Sequence, residues 1–309
     1  MANHSLQACG INDFLSIELP ERELILDPWL SSQGLAMIHA PRGIGKTHVS
    51  LGIAYAVSTG GEFLGWHAPK AKGVLFIDGE MPANLLQERL KAIAGPNLND
   101  DTPLFLVNPD LQNGSIPDIA TKEGQSAINK ILHEHPEIEL VILDNLSTLV
   151  RSGVENEAQS WQILQDWLLA LRSANISVIF IHHSGKNGSQ RGTSRREDVL
   201  DTVISLRRTP DYSPNRGAEF EVHFEKTRGL CGEAVRSFTA RLVEDSNGEQ
   251  AWELNGCKSD SVEQVLSLHA KGFNQTQIAE KLNMHKSKIS RMFKNARESG
   301  LMPQESLLN

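Results

Sequence analysis

The chain has 309 residues, enough for one large α/β domain with a small appendage, and its 39% hydrophobic and 22% charged residues read as soluble and globular. No apolar run approaches ~20 residues, so no membrane-spanning helix or membrane partner is expected. The net charge of −8 is uneven: residues 258–309 carry eight basic and five acidic groups, net +3, which leaves −11 for the rest.

Residues 1–34 read as a partly helical entry segment, and residues 1–10 lack the basic stretch and apolar core of a secretory signal. Cys9, Cys231 and Cys257 are scattered, with no C-x-x-C or His/Cys grouping to suggest zinc, so a reduced, cytoplasmic setting is expected. From residue 35 strands and helices alternate. Strands are predicted at 35–39, 73–78, 104–107, 139–144 and 177–182, with helices at 45–58, 82–93, 122–135 and 158–174. Later strands at 201–207, 219–226 and 238–243 read as an antiparallel extension. Continuous apolar strands between helices predict a mostly parallel sheet covered on both faces, an α/β domain over 35–254. A linker is expected at 255–260 and a small all-α unit at 261–309, with helices at 262–270, 275–282 and 285–298.

The stretch Ala40-Pro41-Arg42-Gly43-Ile44-Gly45-Lys46-Thr47, with His48 after it, lies between a predicted strand and a predicted helix. Backbone N–H groups around Gly43–Gly45 and the helix N-terminus can wrap a polyphosphate such as that of ATP. Lys46 can reach its β and γ oxygens, and the Thr47 hydroxyl can ligate Mg2+. The pattern G-x-x-x-x-G-K-[ST] is broken only by Ala40. Leu140-Val141-Ile142-Leu143-Asp144 delivers an acid to the C-terminal edge of the sheet, where Asp144 can hold the Mg2+ water shell. Glu80, just past the strand at 73–78, is the candidate base for hydrolysis, with Asp78 competing or supporting the fold. Of His182 and His183, His183 lies further out and is the candidate sensor of the γ-phosphate.

In this order these motifs, with Arg191-Gly192-Thr193-Ser194, resemble the RecA-like P-loop ATPases of the plasmid RepA type, hexameric replicative DNA helicases, and more distantly DnaB-type helicases and RecA. The likeness covers roughly residues 20–245. It implies a closed homohexameric ring with ATP between subunits and single-stranded DNA in the channel. It also implies residues acting on a neighbour's nucleotide: Lys226 and Arg228 of a Lys-x-Arg element, and Arg207 at an arginine-finger position. Loops at 151–158 and 185–196, the second carrying Lys186, Arg191, Arg195 and Arg196, would face the channel and track phosphates. The missing first glycine, the tail helices and the short N-terminal segment depart from the family, which makes ATP hydrolysis the firmer expectation than unwinding.

Residues 275–291 resemble a helix-turn-helix of the resolvase or response-regulator kind, related to winged-helix modules. Its last helix would set Ser287, Lys288 and Arg291 toward base edges of duplex DNA and Lys286 toward phosphate. A small bundle for protein contacts is the alternative. For the whole chain, the alternatives are an ATP-switched DNA-binding regulator and a recombination or helicase-loading ATPase.

Overall fold

The computed structural model describes residues 8–95, 99, 101–151, 158–184, 197–209, 212–213, 217–244, 250–282 and 284–298. A short helix α1 (Ile11–Ser16) precedes a small hairpin, β1 (Leu24–Leu26) and β2 (Leu30–Ser31). The main body follows as β3 (Leu35–Ala40), α2 (Lys46–Thr59), the two-residue strands β4 (Glu62–Phe63) and β5 (Trp66–His67), β6 (Gly73–Asp78), α3 (Ala83–Ala94) and β7 (Leu104–Val107). It continues with α4 (Lys122–Glu134), β8 (Ile138–Asp144), α5 (Leu146–Leu149), α6 (Ala158–Ser173), β9 (Ser177–His183), β10 (Thr202–Arg207), β11 (Glu219–Thr227), β12 (Phe238–Glu244) and β13 (Gln250–Gly256).

Nine strands form one sheet in the order β13-β12-β11-β10-β3-β9-β8-β6-β7. From β10 to β7 the neighbours run parallel; from β10 to β13 they run antiparallel. Strand β3 is the pivot, because the chain leaves it for the far side and returns to it through β9 and then β10. Side chains alternate across such a strand. Ala36, Ile38 and Ala40 therefore join the core under α2, with Val49, Ile53, Val57 and Leu86. Leu35 and Met37 join the opposite core, with Val178, Phe180, Leu164, Leu168 and Leu171. Burial of both faces requires the near-continuous apolar strands seen in the sequence. This is the RecA-like P-loop layout, a mostly parallel sheet flanked by helices. No helix among the described residues is long and apolar enough to cross a membrane.

Two expectations need correction. The interval 255–260 is not an open linker: β13 runs to Gly256, Cys257 is 2% exposed, and α7 (Lys258–Ala270) starts at the next residue. The parallel-rich unit accordingly gains a strand that no pattern announced. Trp252 anchors β13, with its ring edge-on to Phe63 at 6.0 Å and tilted against Phe220 at 5.4 Å. The rest of the tail agrees with the reading. Helices α8 (Gln275–Lys281) and α9 (Lys286–Glu298) close with α7 around Val265, Ile278, Ala279, Ile289 and Phe293. Asn274 and Gln277 form a reciprocal capping box that starts α8.

Candidate active site

Lys46 and its loop are set by β3 and α2. Gly43 (φ 76°) and Gly45 (φ 108°) occupy left-handed backbone, which a Cβ would strain, so the loop closes only with glycine at these points. Ala40 is the last residue of β3, fully buried and outside the left-handed region. An alanine is therefore accommodated where the usual pattern has glycine. Lys46 Nζ donates to the carbonyls of Ala40 (3.1 Å) and Pro41 (2.9 Å). Burial pulls its pKa down to about 8, opposed by the charges of Asp144 and Glu80. Ile44, 5% exposed, pins the loop to the core.

Asp144 ends β8. Ser50, one turn beyond Thr47 on α2, donates to it at 2.8 Å, and Thr47 also hydrogen-bonds it. Burial pushes the Asp144 carboxyl up to about 6 in spite of these bonds. Asp78 and Glu80 divide the labour that the sequence left open. Asp78 accepts the backbone N–H groups of Glu80 (3.0 Å) and Met81 (3.1 Å) and the Asn108 amide (3.1 Å), so it builds the turn. Glu80, its side chain 62% exposed, is presented by that turn. Asn145 Nδ2 donates to Glu80 Oε2 at 2.6 Å, and His183 Nε2 stands 3.9 Å from the same oxygen. His182 is buried within the sheet. The two loop glycines, Arg42, Lys46, Thr47, Glu80, Asp144, Asn145, His183 and Arg89 line one cleft of about 480 Å³.

The donor set fits a nucleoside triphosphate with a divalent metal: backbone N–H groups and an ammonium for phosphate, and a hydroxyl and carboxylate as hard oxygen ligands. Sequence reasoning missed Ser50, Arg89, Asn108 and Asn145. Ser50 follows from the three-residue helical spacing after Thr47; Asn145 merely adjoins Asp144, and the other two become neighbours only through the fold.

The His48 ring points elsewhere than the cleft. One residue beyond Thr47 is a turn of about 100° around a helix. Its ring packs edge-on to Trp252 at 5.5 Å and lines a separate pocket of about 340 Å³ beside Phe63. Burial and Arg89 hold its pKa low. Arg207, Lys226 and Arg228 do not line the cleft. Arg207 donates to Glu225 at 3.0 Å, Lys226 to the Glu197 carbonyl, and Arg228 to the Asp198 carbonyl at 2.6 Å. Lys186, Arg191 and Arg195 lie outside the described residues. Lys286, Ser287, Lys288 and Arg291 are all exposed on α9. The fold also gathers Glu221, His223 and Cys257 within 4.8 Å of one another, a cluster the residue spacing hid; there His223 Nε2 is 3.0 Å from Glu221 Oε2.

A family model described as AAA domain matches residues 5–189, more than half of the chain. No curated protein matches it. The matched stretch takes in the loop at 40–47, Glu80, Asp144 and His183, and it ends before β10. The cleft and the match agree, and the chain belongs to the AAA domain family, as an ATPase of the RecA-like class.

Proposed function

We propose that the chain is a ring-forming, ATP-driven DNA helicase or translocase of the RepA type, working as a homohexamer in the replication of a plasmid or mobile element. The observation that carries this reading is the division of cations. The cleft holds Arg42, Lys46 and Arg89, whereas Arg207 at the end of β10, Lys226 on β11 and Arg228 just after β11 sit outside it, available to a neighbouring copy. An arginine supplied from a neighbour is worth roughly 10³–10⁵ in rate in related phosphoryl transfers.

In this reading Lys46 neutralises phosphate oxygens, and Thr47 and Asp144 would hold Mg2+, which would supply further charge neutralisation on the phosphates. Glu80, steadied by Asn145, orients and deprotonates the attacking water, and His183 touches the γ-phosphate. Further support for self-association comes from α1 and the segment after it, whose Ile11, Phe14, Leu15 and Leu19 are all exposed. Single-stranded DNA passes through the ring, and α9 presents an exposed basic face to duplex DNA.

That same basic face favours a second reading, a DNA-bound regulator for which ATP is a switch. Strand displacement on a forked substrate separates the two. The helicase reading expects ATP-dependent displacement and closed rings by electron microscopy with an ATP analogue and single-stranded DNA. Monomers under those conditions, with slow DNA-independent hydrolysis, would favour the regulator.

A further inference from the structure

A line of hydrogen bonds crosses the sheet on the face away from α2. Ser184, which follows His183, places its Oγ 2.8 Å from His39 Nδ1. His39 Nε2 lies 2.8 Å from Glu225 Oε2, and Arg207 Nη2 donates to the other Glu225 oxygen at 3.0 Å. A carboxylate only accepts, so an imidazole hydrogen sits on Nε2, and Nδ1 is left facing the Ser184 hydroxyl. His39 is 1% exposed, so its ring is committed to these two partners.

The register explains how Glu225 gets there. Val203 pairs with Lys226 but Ile204 pairs with Phe224, leaving Glu225 as an extra residue in β11. Such bulges re-aim side chains, and this one turns Glu225 toward β3. The hydrogen bond from His39 is the first cause of holding the Glu225 carboxyl down at about 2, so it stays an acceptor for Arg207. Arg207 folds back along β10, its Nε 3.4 Å from Ser205 Oγ. At the other end, the Ala40 carbonyl accepts from both Ser184 N–H (3.0 Å) and Lys46 Nζ (3.1 Å).

We propose that His39 and Glu225 are positioning residues for Arg207, tying its guanidinium to Ser184 and to the carbonyl that Lys46 shares. This rests on the ring reading, in which Arg207 acts on a neighbour's nucleotide. When Lys46 turns from Ala40 to phosphate oxygens, Ser184 becomes the sole donor of this pair on that carbonyl. Its shift is passed through His39 and Glu225 to Arg207. A protomer's own cleft thereby sets how firmly it presents Arg207 to the next.

Mixed rings test this. A Lys46→Met subunit hydrolyses nothing but carries Arg207, His39 and Glu225; an Arg207→Ala subunit has a whole cleft but lacks Arg207 for its neighbour. Glu225→Gln and His39→Gln are compared with it, alone and after reassembly with Lys46→Met subunits. Melting curves and nucleotide titrations serve as folding controls, and two relay variants are made so that misfolding of one leaves the other to decide. Alone, each relay variant is expected to lose about tenfold in kcat at unchanged KM, and mixing is expected to restore hydrolysis as it does for Arg207→Ala. If Arg207→Ala is rescued and the relay variants are not, the relay is overturned and the ring stands. Wild-type kcat in both relay variants alone also overturns the relay. If Arg207→Ala itself is not rescued, the ring reading fails and takes the relay with it.

Discussion

Replacing Lys46 by methionine is expected to stabilise the nucleotide-free protein. The ammonium is buried at 6% exposure against two carbonyls, and its pKa falls from an ordinary 10.5 to about 8. At about 1.4 kcal/mol per pKa step, holding the charge there costs roughly 3 kcal/mol at neutral pH. Water in the cleft and the loss of two hydrogen bonds reduce the gain, so Lys46→Met is expected to add about 1–2 kcal/mol, or about 4 °C in melting temperature. Methionine keeps the packed stem. The sign with pH follows from proton counting. Between pH 8 and 10.5 the unfolded chain holds the lysine proton and the folded chain does not, so wild-type stability rises with pH in that window. The gap between variant and wild type is therefore full below pH 8 and closes toward 10.5. Urea denaturation of both proteins at pH 7 and at pH 10 measures it. A variant less stable than wild type at pH 7, or a gap that ignores pH, would refute the idea of a strained ammonium waiting for phosphate.

Glu80→Gln keeps an oxygen for Asn145 but removes the base; nucleotide affinity should stay within about twofold while hydrolysis falls roughly 10²–10⁴-fold, read by titration and steady-state rates. The raised pKa of Asp144, about 6, predicts that Mg2+-dependent nucleotide binding by the free protein weakens as pH drops through 6, since the neutral acid cannot hold the metal's water shell. Asp144→Asn should bind weakly at every pH, and a wild-type profile flat down to pH 5 would contradict the assignment. Phe293, 2% exposed in the tail core, should cost about 3–5 kcal/mol on truncation to alanine. Calorimetry should show a tail transition moving alone; a matching shift of the main transition would mean the tail does not fold as its own unit.

How much of this was legible follows from how local each feature is. The loop at 40–47 carries its chemistry in consecutive residues; of its two glycines with positive φ, Gly45 is one the pattern demands, and Gly43 is an addition to it. Asp144 was legible because the apolar run that ends in it follows a phosphate-type loop at 40–47. Glu80 against Asp78 was not decidable, because the difference lies in which carboxylate collects the N–H groups of the turn. Strand β13 escaped notice because six of its seven residues are exposed, Trp252 is only partly buried, and it pairs with β12. His39 and Glu225 are 186 residues apart and meet only through a register slip that no local pattern encodes. The direction of the His48 ring, toward Trp252, was not legible because Trp252 lies on a strand that the sequence did not announce.

The direct passage from β13 through Cys257 into α7 bears on reach. A six-residue tether would let the tail wander over about 20 Å, whereas a single connecting residue spans about 3.6 Å. The tail helices thus start within one residue of the sheet edge. The short junction bounds how far α9 can stray from the body, which a slack chain would not.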